Sequence, residues 1–339
     1  MSWRVALMIK RFAAVLVVLS FVLAGLGVPA IADDVYEFKY AHTQSENHPR
    51  SESMVFFEEQ LEERSGGRIQ VELYFSGTLG QEAEVLEMVR LGNLQGCRGG
   101  LFERANPMYL MYTLPFMFAN ADQVVAVMNS DLGMEINQGA LDNGFYIPAT
   151  GVAGGMRQPT NNIRPITSVA DLEGINLRTP PIDVTLRTFQ ELGANPQQVP
   201  YTEVYMALKT GVVDGQENPF SNCVDMKFYE VQKYLSVLNW QVHPDPFYVN
   251  PDWYNALPDD LKQIFDEVSR ETMNHSNVIW LASEQGYFDI LKDKLEVNEI
   301  DAEAHAEFVE AVKPVWQYYV DEGMFTWDDI NRALEIAGQ

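Results

Sequence analysis

Cysteine and histidine are scarce in this 339-residue chain: two cysteines, Cys97 and Cys223, and five scattered histidines, His42, His48, His243, His275 and His305. Two cysteines make no disulfide framework, and no two histidines stand four apart on a helix, so neither a stapled fold nor a metal site is expected. Two buried free thiols are the expected state, with a single disulfide as the alternative. Also missing are the G-x-S-x-G elbow, the H-E-x-x-H pair and the G-x-x-x-x-G-K-[ST] loop, which removes the common serine-hydrolase, zinc-protease and nucleotide-phosphate readings. No cofactor is expected and the chain is not read as an enzyme. A glycosidase-type carboxylate pair stays open only because acidic residues are abundant. Basic residues are few, 23 against 48 acidic ones, for a net charge of −25. That balance argues against a nucleic-acid partner. It also repels anions at long range, so an anionic ligand would need local arginines inside a cleft.

Long apolar runs are confined to the first residues. Arg4, Lys10 and Arg11 precede the run Phe12 to Gly27, and Ala30-Ile31-Ala32 follows it. This three-part pattern predicts a secretory signal over residues 1–32 and a periplasmic product, with a membrane anchor as the alternative. No later stretch approaches the ~18–20 apolar residues of a spanning helix, so the exported part is not expected to be membrane-embedded.

Apolar residues make up 47% of the chain. The length beyond residue 32 exceeds what one core usually covers, and two domains follow. Tyr36, Phe38 and Tyr40 alternate as in a strand. Met54, Phe57 and Leu61 recur as on a helix that stops at Gly66-Gly67. Ile69, Val71, Leu73 and Phe75 alternate again, and Val85, Met88 and Val89 mark another helix. Strand–helix alternation implies parallel sheets covered by helices. Val124 to Ile136 reads as one helix and Phe145 to Gly151 as a strand. The glycines Gly151, Gly154 and Gly155 are the candidate first crossing between domains. A strand at Ile175 to Arg178, a helix from Ile182 to Leu192, a short strand at Gln197 to Pro200, and a helix capped by Thr202 rebuild the pattern. Ser221 to Tyr234 reads as helical, and Leu235 to Trp240 and Phe247 to Asn250 as strands returning to the first domain. Pro258 opens a long helix to about Lys294, and two helices split near Gly323 finish the chain. The predicted class is α/β. The expected division is domain I over 33–153 with 244–282, and domain II over 154–243 with 283–339.

Two arginines lie at strand ends. Arg178 closes a strand before Thr-Pro-Pro, where open α/β sheets place ligands, and an arginine there suits a carboxylate. Arg157 follows the glycine cluster. A surface ion pair is the competing reading for each. Asp214-Gly-Gln-Glu217-Asn218-Pro-Phe reads as a polar turn before a helix, whose amides could hold a hydroxyl or carboxylate or could merely shape the turn.

Longer stretches are more specific. Arg157-Gln-Pro-Thr-Asn-Asn-Ile-Arg164-Pro, Asp171-Leu-Glu-Gly174-Ile-Asn-Leu-Arg178-Thr-Pro, and the run from Gly193-Ala-Asn195-Pro through Tyr201-Thr-Glu203-Val-Tyr205 to Asp214-Gly-Gln-Glu217-Asn218-Pro219 carry a resemblance. They resemble the substrate-binding proteins of TRAP transporters, of the C4-dicarboxylate-receptor type. His48-Pro, Gly66-Gly-Arg-Ile69, Leu79-Gly80, Leu114-Pro-Phe116 and Phe228-Tyr-Glu-Val-Gln-Lys-Tyr234-Leu extend the likeness over nearly the whole chain.

The resemblance implies a two-domain periplasmic-binding-protein fold with an interdomain ligand cleft and a long helix spanning both domains. It implies that Arg178 pairs with a ligand carboxylate, that Arg157 is a second cleft arginine, that Asn218 helps hold the carboxylate, and that Tyr201 lies against the ligand. Glu217 is taken with this set. The implied partners are a small organic acid and the subunits of a TRAP-type membrane permease. A sugar acid is the favoured ligand; a C4-dicarboxylate, a keto acid, an aromatic acid, or service to a sensor kinase are the alternatives. Two departures bear on ligand identity. Trp240 follows Asn239 where relatives often carry a polar residue, and stands either as a stacking platform or as core. Cys97-Arg98-Gly-Gly100 is an unusual form of a pocket-lining strand.

Overall fold

The computed structural model describes residues 34–339, so the signal expected over residues 1–32 lies outside the described residues. Tyr36–Gln339 form one compact unit built on two sheets. The first contains β1 (Tyr36–Ala41), β2 (Ile69–Tyr74), β3 (Gly96–Arg98), β4 (Thr150–Val152) and β10 (Pro244–Val249), in the order β2-β1-β3-β10-β4. The second contains β5 (Gln158–Asn161), β6 (Asn176–Thr179), β7 (Asn195–Gln198), β8 (Gly215–Asn218), β9 (Tyr234–Val237) and β11 (Glu296–Glu299), in the order β11-β9-β5-β8-β6-β7.

The sheets are mixed rather than purely parallel. β1 runs parallel to β2 and β3, but β10 is antiparallel to β3 and β4. In the second sheet β6 is parallel to β7 and β8, whereas β5 is antiparallel to β8 and β9. The antiparallel strands are those that arrive directly from the other sheet, without a crossover helix to reverse their direction. β9 belongs to the second sheet and only β10 returns to the first, so the two strands expected to return together are split.

Other local expectations shift for identifiable reasons. Asp214–Asn218 is not a turn: Gly215–Asn218 is the buried strand β8. Its polar side chains satisfy one another, with Gln216 Nε2 donating to Thr160 Oγ1 at 2.9 Å and Asn218 Nδ2 to Gln216 Oε1 at 2.5 Å. Val124–Ile136 is two helices, Ala121–Met128 and Asp131–Gly139, because Ser130 turns outward to cap Gly133 N. Ser221–Tyr234 is not one helix: it holds the end of the helix Phe220–Asp225 and a 3-10 turn at Phe228–Glu230 before β9 begins. Thr202 caps nothing; its hydroxyl donates across to Gln81 Oε1 at 2.7 Å. The chain ends in three helices, Ala302–Ala311, Lys313–Asp321 and Trp327–Ile336. Cys97 and Cys223 are buried free thiols.

The helix Asp259–Lys292 has 34 residues, roughly 51 Å at 1.5 Å per residue. Its first half buries Leu261, Phe265, Val268 and Met273 with Phe38, Phe57 and Phe247 of the first-sheet core. Phe57 meets Phe247 edge-on at 5.1 Å; full burial of each such ring contributes about 1.5–3 kcal/mol. Its last turns place Leu291 among Val204, Phe220 and Leu235 beneath the second sheet, with Phe288 stacked on Phe220 at 4.9 Å.

Between the sheets the chain also crosses from β4 to β5 and from β9 to β10. The two crossings bond each other: Ala153 N donates to His243 O at 2.9 Å and Arg157 N to Gln241 O at 2.8 Å. Gly154, with φ +109°, is required there, since a Cβ would also stand 2.9 Å from Pro219 Cγ.

Candidate functional site

The sheets aim their strand ends at a shared cleft, lined by Gln44, Arg50, Glu82, Arg157, Arg178 and Tyr201 among others. Register explains how the second sheet supplies its part. Pairing of β5 with β8 sets Gln158 opposite Asn218, which brings Arg157 beside Glu217 and Asn218. Pairing of β6 with β8 sets Arg178 opposite Gln216, and the parallel sense sends both strand ends into the cleft.

The two expected arginines differ in state. Arg157 is committed: Nε lies 2.5 Å from Glu217 Oε2, and Nη2 donates to Glu217 Oε1 at 2.9 Å, to Glu217 O at 2.8 Å and to Asn218 Oδ1 at 3.2 Å. Glu217 is wholly buried behind it and does not line the cleft. Arg178 is only 2% exposed, yet its one protein hydrogen bond among the described residues runs from Nε to Val199 O at 2.9 Å. Its two terminal nitrogens are left without a protein acceptor, and no salt bridge compensates its charge. Burial lowers its pKa to about 10, with Glu217 opposing the fall and Arg157 adding to it. A buried guanidinium held at Nε, with its two-pronged end unpaired, is shaped to receive a carboxylate.

Tyr201 and Asn218 line the cleft with these arginines. Trp240 does not. It is fully buried, meets Phe189 edge-on at 5.0 Å, and is tied by Phe116 N donating to its carbonyl at 2.7 Å. Of its two readings, the structure places it in the core.

The first sheet adds Arg50, which sequence reasoning did not single out, and Arg98, met there only within the Cys97-Arg98-Gly-Gly100 departure. Arg50, at the start of helix Pro49–Arg64, donates from Nε to Asp245 Oδ2 at 3.0 Å and from Nη1 to Gln44 Oε1 at 2.6 Å. Arg98 on β3 shares the same carboxylate, with Nη2 2.5 Å from Asp245 Oδ2. Two buried guanidiniums therefore share one buried carboxylate. His243 is held neutral, its pKa lowered first by burial and then by Arg157, Arg178 and Arg50. It donates from Nε2 to Gln241 Oε1 at 2.7 Å. One signal pointed to Arg50 and Arg98: in so acidic a chain, arginines that serve an anion must lie inside.

Two side-chain hydrogen bonds join the two sides. Thr202 reaches Gln81, and Ser45 Oγ donates to Asp225 Oδ1, each linking the first-sheet side to the second. Among the described residues no cluster of His, Cys, Asp and Glu could hold a metal ion, and no helix is long and apolar enough to cross a membrane.

Residues 40–322 match the family described as bacterial extracellular solute-binding protein, family 7, also called DctP. The chain belongs to this family. It is 30% identical over 294 residues to the C4-dicarboxylate-binding periplasmic protein DctP of Vibrio cholerae, covering 83% of this chain and 85% of that one. Among solved structures it is similar to a TRAP periplasmic solute-binding protein from Shewanella oneidensis with bound succinate, at 26% identity, with a TM-score of 0.85 and coverage of 89% and 99% of the two chains. It is also similar to one from Roseobacter denitrificans with bound β-D-glucuronate, at 27% identity, TM-score 0.82, covering 89% and 98%. The two-sheet α/β architecture is thus that of the TRAP solute-binding proteins, and members of this family are binding proteins that serve transport.

Proposed function

We propose that this solute-binding protein captures a small organic acid in the cleft, with the ligand carboxylate on the two terminal nitrogens of Arg178. The observation that carries the reading is the state of Arg178: buried, held at Nε by Val199, and without a carboxylate partner. Burying an unpaired charge costs several kcal/mol unless a partner arrives, and a ligand carboxylate is that partner. Arg157 is the supporting arginine. Its ion pair with Glu217 fixes the Asn218 side chain at the carboxylate's edge. Tyr201 supplies a wall.

In this reading residues 33–153 with 244–282 form one lobe, and 154–243 with 283–339 the other. Closing of the lobes about the paired crossings near Gly154 presents the occupied form to TRAP-type permease subunits. The chain acts in the periplasm after export by residues 1–32, and it performs no chemistry on its ligand. Calorimetric titration of Arg178→Lys tests the site. A point charge cannot reproduce the guanidinium fork, so affinity for the acid should fall at least 100-fold. Affinity within about threefold of wild type removes Arg178 from this role.

A further inference from the structure

Where the long helix Asp259–Lys292 passes the crossing from β4 to β5, it lines a second cavity with Asn277, Trp280, Leu281 and Glu284. The helix Ala121–Met128 and the crossing itself supply the other walls. The crossing divides its residues between two places. Ala153 and Arg157 line the cleft described above, whereas Val152, Gly154, Gly155 and Met156 line this cavity, and no residue lines both. Gly155 is the position that makes room: a Cβ there would collide with the Glu284 carboxyl.

The chemistry of the lining is one-sided. Ala121, Val125, Val152, Met156 and Leu281 make its walls apolar. Its charged members are Glu284 and Asp122, the latter exposed at the rim, and none is basic. Asn277 is already engaged, its Oδ1 accepting from Val152 N at 3.1 Å. Glu284 is not: its Oε2 is buried without a hydrogen-bond partner, and it forms no ion pair among the described residues. Burial alone raises its carboxyl to about 7, with no neighbouring cation to pull it back. A carboxylate held among apolar walls without a counter-charge is costly until a cation reaches it. Two carboxylates among apolar side chains offer too few oxygens for a divalent metal ion, so an organic cation is the class that fits. The net charge of −25 draws such a cation in.

We propose that this cavity is a second ligand site, for a small primary amine with an apolar chain, its ammonium donating to Glu284 and its chain lying against Val125, Met156 and Leu281. The indole of Trp280 adds an aromatic wall, which favours a cation over a neutral group of the same shape. The site is separate from the cleft and does not depend on what the cleft binds.

Calorimetric titration of the exported chain at pH 8, where Glu284 is ionised, tests this with n-hexylammonium and with 1-hexanol, similar in shape but uncharged. The ammonium should bind with a dissociation constant below about 1 mM, and the alcohol about tenfold or more weakly than that. Glu284→Gln should reduce the ammonium to the level of the alcohol. This variant loses an unpaired buried charge, so its unfolding midpoint at pH 8 should be no lower than that of wild type. Leu281→Arg, at an exposed position one turn before Glu284, sets a cation of the chain's own beside the carboxyl and should cause the same loss. No binding of the ammonium at about 10 mM, alcohol binding as tight as the ammonium, or full ammonium affinity in either variant overturns the proposal.

Discussion

Arg178 and Arg157 are both buried arginines of one cleft, yet replacing each with methionine should move the stability of the ligand-free protein in opposite directions. Among the described residues Arg178 forms no salt bridge, and its one protein hydrogen bond there is the one to Val199. Methionine removes that uncompensated charge and leaves one carbonyl to find water at the cleft surface. Losing the Val199 bond costs about 1 kcal/mol, whereas the relief of an unpaired buried charge is larger, on the order of 1–4 kcal/mol when apolar residues replace buried ions. The net is a ligand-free protein more stable by up to about 3 kcal/mol. Arg157→Met instead strands Glu217, which is 0% exposed and bonded twice by the arginine. Breaking such a pair from one side costs about 3–5 kcal/mol. Differential scanning calorimetry on ligand-free protein reads both, at about 2–4 °C per kcal/mol for a domain of 150–250 residues. Arg178→Met should melt higher than wild type and show no ligand-induced shift; Arg157→Met should melt lower. If Arg178→Met melts lower by as much as Arg157→Met, Arg178 is a structural ion in disguise and the reasoning fails.

Three further outcomes are expected. Asp225→Ala removes the Ser45 bridge between the two sides, so ligand affinity should fall by about three- to tenfold, seen as a faster off-rate in stopped-flow; an unchanged off-rate would mean that the bridge plays no part in closure. Burial raises the Glu284 carboxyl from 4.5 to about 7, so the folded chain keeps a proton that the unfolded chain releases. Its stabilising effect is full below pH 4.5 and is lost as the pH rises through 7, by up to about 3 kcal/mol. Glu284→Gln should therefore melt above wild type at pH 8 and equal it near pH 4.5, while Glu103, also raised to about 7 by burial, preserves part of the pH slope; equal midpoints at pH 8 would count against the buried-carboxyl account. Gly154→Ala forces a side chain onto φ +109° and against Pro219, which should cost about 1–3 kcal/mol in urea denaturation, and a change below 0.5 kcal/mol would show that the crossing adjusts freely.

Much of the architecture could be read from periodicity, because Tyr36, Phe38 and Tyr40 or Ile69, Val71 and Leu73 alternate where one sheet face is buried, and Leu261, Phe265 and Val268 recur on a helix. What periodicity could not read was polar burial. Gln216, Glu217 and Asn218 look like a loop because their types favour one, and only the arrival of Arg157 and Thr160 from β5 makes a buried strand of them. β5 itself, Gln-Pro-Thr-Asn, has no apolar alternation at all. The second-sheet half of the candidate site was visible through strand-end arginines and the family resemblance. The first-sheet half was not: Arg50, Glu82 and Asp245 lie on three elements separated by up to 195 positions, and nothing local marks them as neighbours. Trp240 shows the converse, an aromatic whose type left ligand stacking and core both open and whose packing against Phe189 places it in the core.

The central claim is that the cleft recognises a carboxylate, and the measurement that tests it most directly is a thermal-shift comparison of small organic acids with their matched amides. A ligand at 100 times its dissociation constant adds about 2.7 kcal/mol to stability, a shift of several degrees. The account predicts that at least one acid raises the midpoint while its amide, equal in shape but without charge, leaves it unmoved. Equal shifts from acid and amide, or no shift from any acid on protein unfolded and refolded free of ligand, would contradict it.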